Sequence, residues 1–133
     1  MEIVQGLPPN YDQIVRSVGT PPKSAVYTYG GTIYSPMGTD LPEDLIVHEQ
    51  THITQQARIS AKMWWDAWTV SLSFRFADEL EAYRAQYKFY ALKNKDRNAQ
   101  ARFAVALASD LAGPMYGKMT TFQIAYDRIR NLG

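Results

Sequence analysis

His48-Glu49-Gln50-Thr51-His52 is the stretch on which the reading of this chain turns, and it uses both histidines of a 133-residue sequence. At about 3.6 residues per turn, helix positions i and i+4 lie roughly 40° apart on successive turns, so imidazoles at that spacing reach one tetrahedral ion. Glu49 stands about 100° around the helix from His48, beside the ion rather than on it. A carboxylate there serves as general base for a water that the metal has made acidic. The pentapeptide thus predicts a helix, a metal ion, a nucleophilic water and a base. Leu41, Leu45, Val47, Ile53, Ala57 and Ile59 give the helix apolar surface, as expected if it is buried behind the site.

Upstream of the motif, Thr39 or Asp40 can cap the helix, with Pro42 and Glu43 in its first turn. Val26 and Thr28 alternate with Tyr27 and Tyr29 ahead of Gly30-Gly31, which predicts a tight hairpin between Ala25 and Tyr34. This is the one strong strand signal. Asn10 is placed to cap a short helix, Tyr11 to Val18, that Gly19 ends. Downstream, Met63, Trp64, Trp65 and Trp68 read as a short helix or buried connection whose purpose is packing. Phe76, Leu80, Tyr83, Tyr87 and Tyr90 mark a long helix from near Ser73 to Lys93. A polar break at residues 94–98 precedes a helix from Ala99 to Ala112, stopped by Gly113-Pro114. After a turn at Tyr116-Gly117, Thr120 or Thr121 can cap a last helix reaching Arg130. The fold class expected is α+β: a mostly helical, minimal domain over residues 1–133, with a small antiparallel β-hairpin beside the active-site helix.

Composition narrows the function. With 46% apolar and 20% charged residues and a net charge of +1, the chain has the balance of a soluble globule, and nucleic acid is excluded as an expected partner. No apolar run approaches the roughly 20 residues of a membrane helix, and residues 1–10 carry no basic and apolar leader, so a cytoplasmic location is expected. Cysteine is absent, which rules out disulfides and thiolate ligands and leaves nitrogen and oxygen to hold a metal.

Catalytic zinc sites use three protein ligands and keep a fourth position open, so two histidines require a carboxylate. Glu79 and Glu81 follow on the later helix. Glu79 shares a face with Phe76, Leu80 and Tyr83 and points inward, where a carboxylate needs a partner; a metal or Arg75 would serve. Glu81 faces Arg84 and Lys88, as a solvated i,i+3 pair would. Glu79 is the chosen third ligand and Glu81 the reserve. Gln55 and Gln56 could bond the metal shell or cap a loop, and Lys93, Lys95 and Arg97 read as a solvated turn.

His48, Glu49, His52 and Glu79 together resemble the gluzincin group of zinc metallopeptidases, which carry HExxH on one helix and a glutamate ligand on a later one. Glu79-Leu80-Glu81-Ala82-Tyr83 is similar to the Glu-x-x-Ala-Asp ligand helix of some members, with Tyr83 in place of the aspartate. The wider text, from His48 to Gln56, through Phe74-Arg75-Phe76 to Gln86, and Tyr116-Gly117, is similar to small uncharacterised zincin-like proteins of phages and bacteria. The resemblance implies a zinc-dependent peptidase acting on a peptide or protein substrate. Strand edges between Tyr27 and Tyr34 would pair with an extended peptide, and Tyr83, Tyr116 or Arg75 would donate to the oxyanion. The alternative it implies is a binding or assembly module of a phage particle or toxin-delivery system, which keeps zinc but turns over little. A third reading, from another class, is a purely structural helical domain without metal.

Overall fold

The computed structural model describes residues 1–130. Among them run strand β1 (Glu2–Val4), helix α1 (Tyr11–Val18), strands β2 (Tyr27–Tyr29) and β3 (Thr32–Tyr34), then helices α2 (Glu43–Ile59), α3 (Ala61–Val70), α4 (Leu72–Lys93) and α5 (Arg97–Leu111). A single 3-10 turn at Pro114–Tyr116 leads to α6 (Phe122–Arg130). The chain is therefore mostly helical with one small sheet, an α+β arrangement.

The hairpin forms where the sequence predicts it, and Gly30 supplies the positive φ of 65° that the two-residue turn demands of its first position. It is not alone, however. β1 pairs parallel to β3, so the sheet order is β1-β3-β2 and the second hairpin strand is central. Three residues, Glu2-Ile3-Val4, are too few to display a period of two, which is why sequence periodicity passes over them.

Serines divide the central helices. Ser60 ends α2 and caps α3, accepting from the Met63 amide at 3.1 Å, and Ser71 caps α4 in the same way from Phe74 at 3.2 Å. These one-residue joints fold α3 back so that its tryptophans face α2 and α4. Asn10, by contrast, makes no side-chain cap, and α2 starts after Pro42 without one. Acidic Glu43 and Asp44 in the first turn of α2 suit the positive end of its dipole.

The apolar core joins Ile14 of α1, Trp64 and Trp68 of α3, Leu80 of α4, Leu111 of α5 and Ile129 of α6. No side chain of α2 belongs to it. This reverses the expectation of an apolar buried face: Leu45, Val47 and Ile53 are half-buried, and Ala57 and Ile59 are exposed. What α2 buries, between β2 and α4, is polar.

Candidate metal centre

The buried side chains of α2 are His48, Glu49, His52, Gln55 and Gln56. They occupy positions i, i+1, i+4, i+7 and i+8, the stripe that carries apolar residues on an ordinary helix. A buried polar group left without a partner costs about 1–3 kcal/mol, so five such groups would unfold a small domain unless bonded. All are bonded: Asn10 Oδ1 is the one buried side-chain atom without a partner among the described residues.

Across from this stripe α4 presents Glu79, Tyr83 and Gln86, also at i, i+4 and i+7. Glu79 Oε1 lies 3.3 Å from His48 Nε2 and 3.2 Å from His52 Nε2. A tetrahedral ion with bonds of about 2.0–2.1 Å holds its ligand atoms about 3.3 Å apart. All three residues are 4% exposed. Bounded by them, Glu49 and the tryptophans is a cavity of about 30 Å3, space for an ion and one small companion.

Hydrogen bonds behind the histidines decide what that space must hold. His48 Nδ1 is 2.9 Å from Gln86 Oε1, while Gln86 Nε2 donates to Asp44 Oδ2 at 2.8 Å. His52 Nδ1 is 2.8 Å from Gln55 Oε1, while Gln55 Nε2 donates to the Asp78 carbonyl at 3.0 Å and to Glu81 Oε1 at 2.7 Å. Each amide turns its NH2 towards a fixed acceptor, so its oxygen faces the ring and Nδ1 carries the hydrogen. Both Nε2 lone pairs then converge with the Glu79 carboxylate. Three Lewis bases meet there without a donor among them, an arrangement that a cation satisfies.

In the chain alone a proton takes that part. Burial works against the His52 imidazolium, yet the charge and hydrogen bond of Glu79, aided by Glu49 and Gln55, bring its pKa up to about 9. Burial also opposes the Glu79 carboxylate, but His52 and His48 outweigh it and hold that group well below the usual carboxylate range.

Glu49 is beside this trio, outside the ligand set. Its Oε2 is 3.8 Å from His48 Nε2, and its Oε1 accepts from the Thr28 hydroxyl at 2.9 Å. Burial raises its pKa, against the pull of the two histidines. Thr28 thus ties β2 to the acid side of the centre, a contact that no local spacing discloses.

The tryptophans pack in the core as expected, and each indole also donates. Trp68 Nε1 bonds Glu79 Oε2 at 2.9 Å, Trp64 Nε1 bonds Asp78 Oδ2 at 2.7 Å and Trp65 Nε1 bonds the Thr28 carbonyl at 2.9 Å. Tyr83 stacks edge-on to His48 with centroids 4.5 Å apart, and its hydroxyl is 3.0 Å from that of Tyr116. Burial, then the charge of Glu79, keeps both phenols protonated far into alkaline pH.

Some expected residues lie elsewhere. Arg75 turns its guanidinium over the Trp68 ring at 4.4 Å and donates to the Trp68 carbonyl at 2.7 Å, so it neither pairs with Glu79 nor reaches the cavity. Glu81 is exposed and acts through Gln55 on His52, two bonds removed from the metal position. The strand edges are also largely taken. β3 is flanked on both sides, and along the outer edge of β2 Gln56 accepts from the Gly30 amide at 2.7 Å and donates to the Thr28 carbonyl at 2.9 Å, as a neighbouring peptide group would. Trp65 fills the remaining lone pair of that carbonyl.

A cleft of about 340 Å3 leads to the centre, with His48, Glu49, Tyr83 and Tyr116 at its floor and Val26 and Asp110 on its walls. Among the described residues no helix is long and apolar enough to cross a membrane. Comparison with protein-family models, with curated proteins and with solved structures gives no match.

Proposed function

We propose that this chain is a zinc-dependent peptide hydrolase of the gluzincin kind, built as a minimal zincin-like domain, with His48, His52 and Glu79 as the ligands. The observation that carries the reading is the meeting of two imidazole nitrogens and a carboxylate oxygen, all within 4.8 Å of one another and the oxygen 3.3 and 3.2 Å from the two nitrogens, with a second carboxylate alongside. Two neutral nitrogens and one oxygen form a donor set that suits zinc and leaves one coordination position open. When bound, the ion would polarise the scissile carbonyl and acidify water.

The chain's own groups supply the rest. Glu49, with a raised pKa and one oxygen anchored by Thr28, takes a proton as the water oxygen bonds to the carbonyl carbon. It returns that proton to the amine nitrogen as the C–N bond breaks. Tyr83 and Tyr116, protonated and on the cleft floor, are the donors available to the developing oxyanion.

Metal analysis of the purified protein tests the ligand set. Stoichiometric zinc in the wild type, lost from His48→Ala and from Glu79→Ala, is the expected result; zinc retained by Glu79→Ala would move the third ligand to another residue. Glu49→Gln should keep its metal and lose peptide hydrolysis by a factor of at least 100, as removal of a general base does. A second reading, a zinc-holding binding or assembly module, draws support from the depth of the ligands, each 4% exposed. Wild type and Glu49→Gln would then be indistinguishable in every hydrolytic assay.

A further inference from the structure

The cleft is one-sided. Its lining includes His48 and Glu49 but neither His52 nor Glu79, which are buried and line the smaller inner cavity with Trp64, Trp65 and Trp68. Trp64 covers His52 directly, with ring centroids 5.0 Å apart. On that closed side the outer edge of β2 is consumed by Gln56 and Trp65 from Thr28 to Gly30. On the open side lies Val26, two residues earlier and on the same side of the chain. An extended peptide could therefore follow the strand away from the metal in one direction only. At about 340 Å3 the cleft is also near the lower limit of ligand sites, which run from about 300 to 1,000 Å3.

Charge says which end of a peptide fits. The cleft lining contains no lysine or arginine that could receive a terminal carboxylate. It does contain Asp110, in the last turn of α5, where the negative end of the helix dipole disfavours a carboxylate. That carboxylate is exposed in the cleft and forms no hydrogen bond or ion pair among the described residues. A cation delivered into the cleft would find it unpaired.

We propose that the cleft takes an ammonium-bearing end of a peptide, with Asp110 as its counter-charge, and does not take the middle of a long extended chain. The inference rests on the hydrolase reading for what happens at the metal, but its test does not need turnover. Zinc-loaded Glu49→Gln protein, its metal content measured in the same samples, is titrated with an alanine tripeptide amide, its N-acetylated form, and an N-acetylated peptide carrying one lysine. The free amine should bind at least tenfold more tightly than the acetylated peptide, and Asp110→Asn should abolish that difference without altering zinc content. Binding by the free terminus alone would assign the ammonium to the α-amino group; binding fully restored by the lysine peptide would overturn the assignment to a peptide end. Equal binding of free and acetylated peptides, a preference unchanged in Asp110→Asn, or no binding by zinc-loaded protein would overturn the inference. A protein that takes up no zinc fails on the hydrolase reading instead.

Discussion

Glu49 and Glu79 are buried around the same pair of histidines, yet their environments push them apart. Glu79 has both imidazoles and the Trp68 indole aimed at it and is held ionised; Glu49, equally buried, has one hydroxyl, and burial raises its pKa against the pull of the histidines. Such a split suits the proposed roles, a ligand, which must stay charged, and a base, which must gain and lose a proton. Under that proposal Thr28 would hold the base in place. Its hydroxyl lies 2.9 Å from Glu49 Oε1 and 3.2 Å from the Glu49 carbonyl, the alternative acceptor on the same residue. Thr28→Val retains the shape of the side chain and deletes the donor. Hydrolysis should fall about tenfold in kcat with zinc content unchanged, since one hydrogen bond to a charged group is worth about 1.5–3 kcal/mol and only part of it bears on the transition state. Thr28→Ser should recover most of the loss, and its acid-limb pKa should return to the wild-type value. Loss of zinc in Thr28→Val, or no recovery with serine, would mean that Thr28 only supports the fold.

At the scale of elements, α2 inverts the usual amphipathic rule, and the sequence discloses part of this. His48 and His52 are legible because their spacing puts both imidazoles on one face of a helix, and Glu79 because an acid on the apolar face of α4 wants a partner. Gln86 is just as legible in principle, being seven residues beyond Glu79 on that face, but a neutral amide carries no charge to draw attention. Hidden altogether are contacts between elements remote in sequence: Thr28 to Glu49 across the hairpin, and β1 against β3 across about 30 residues of chain, with partners such as Ile3 and Ile33. Local periodicity contains no information about such pairings. The glutamines carry their own prediction. Gln86→Leu leaves His48 Nδ1 without its acceptor and Asp44 without its donor, so the ring loses its fixed tautomer and orientation. Zinc affinity, measured by competition with a chromophoric chelator, should drop about 10- to 100-fold, the range typical for an outer partner of a ligand. An unchanged affinity would remove Gln86 from the account of the centre.

For the whole molecule, the division between core and centre has a thermodynamic consequence. α1, α3, α4, α5 and α6 share one apolar core, whereas α2 is held by hydrogen bonds and by the groups that would surround the ion. Its polar stripe bonds to β2 through Thr28 and Gln56 and to α4 through Glu79 and Gln86, so a cation at the centre would tie α2, which the core leaves out, to two elements that the core already joins through Tyr27 and Leu80. Removing it leaves three ligands that must share protons instead, and the part of the fold that depends on them is local. Binding at a hundredfold excess over Kd stabilises a protein by about 2.7 kcal/mol, which for a domain of this size is a shift in Tm of about 10 °C. Chelation should therefore lower Tm by roughly that amount. It should also raise amide hydrogen exchange in α2 and the hairpin while α5 and α6 keep their protection, because opening the polar stripe exposes little of the common core. Hydrogen exchange resolved by peptide fragment distinguishes this from its rival: a rise spread evenly over all helices would show that the centre and the core unfold as one unit.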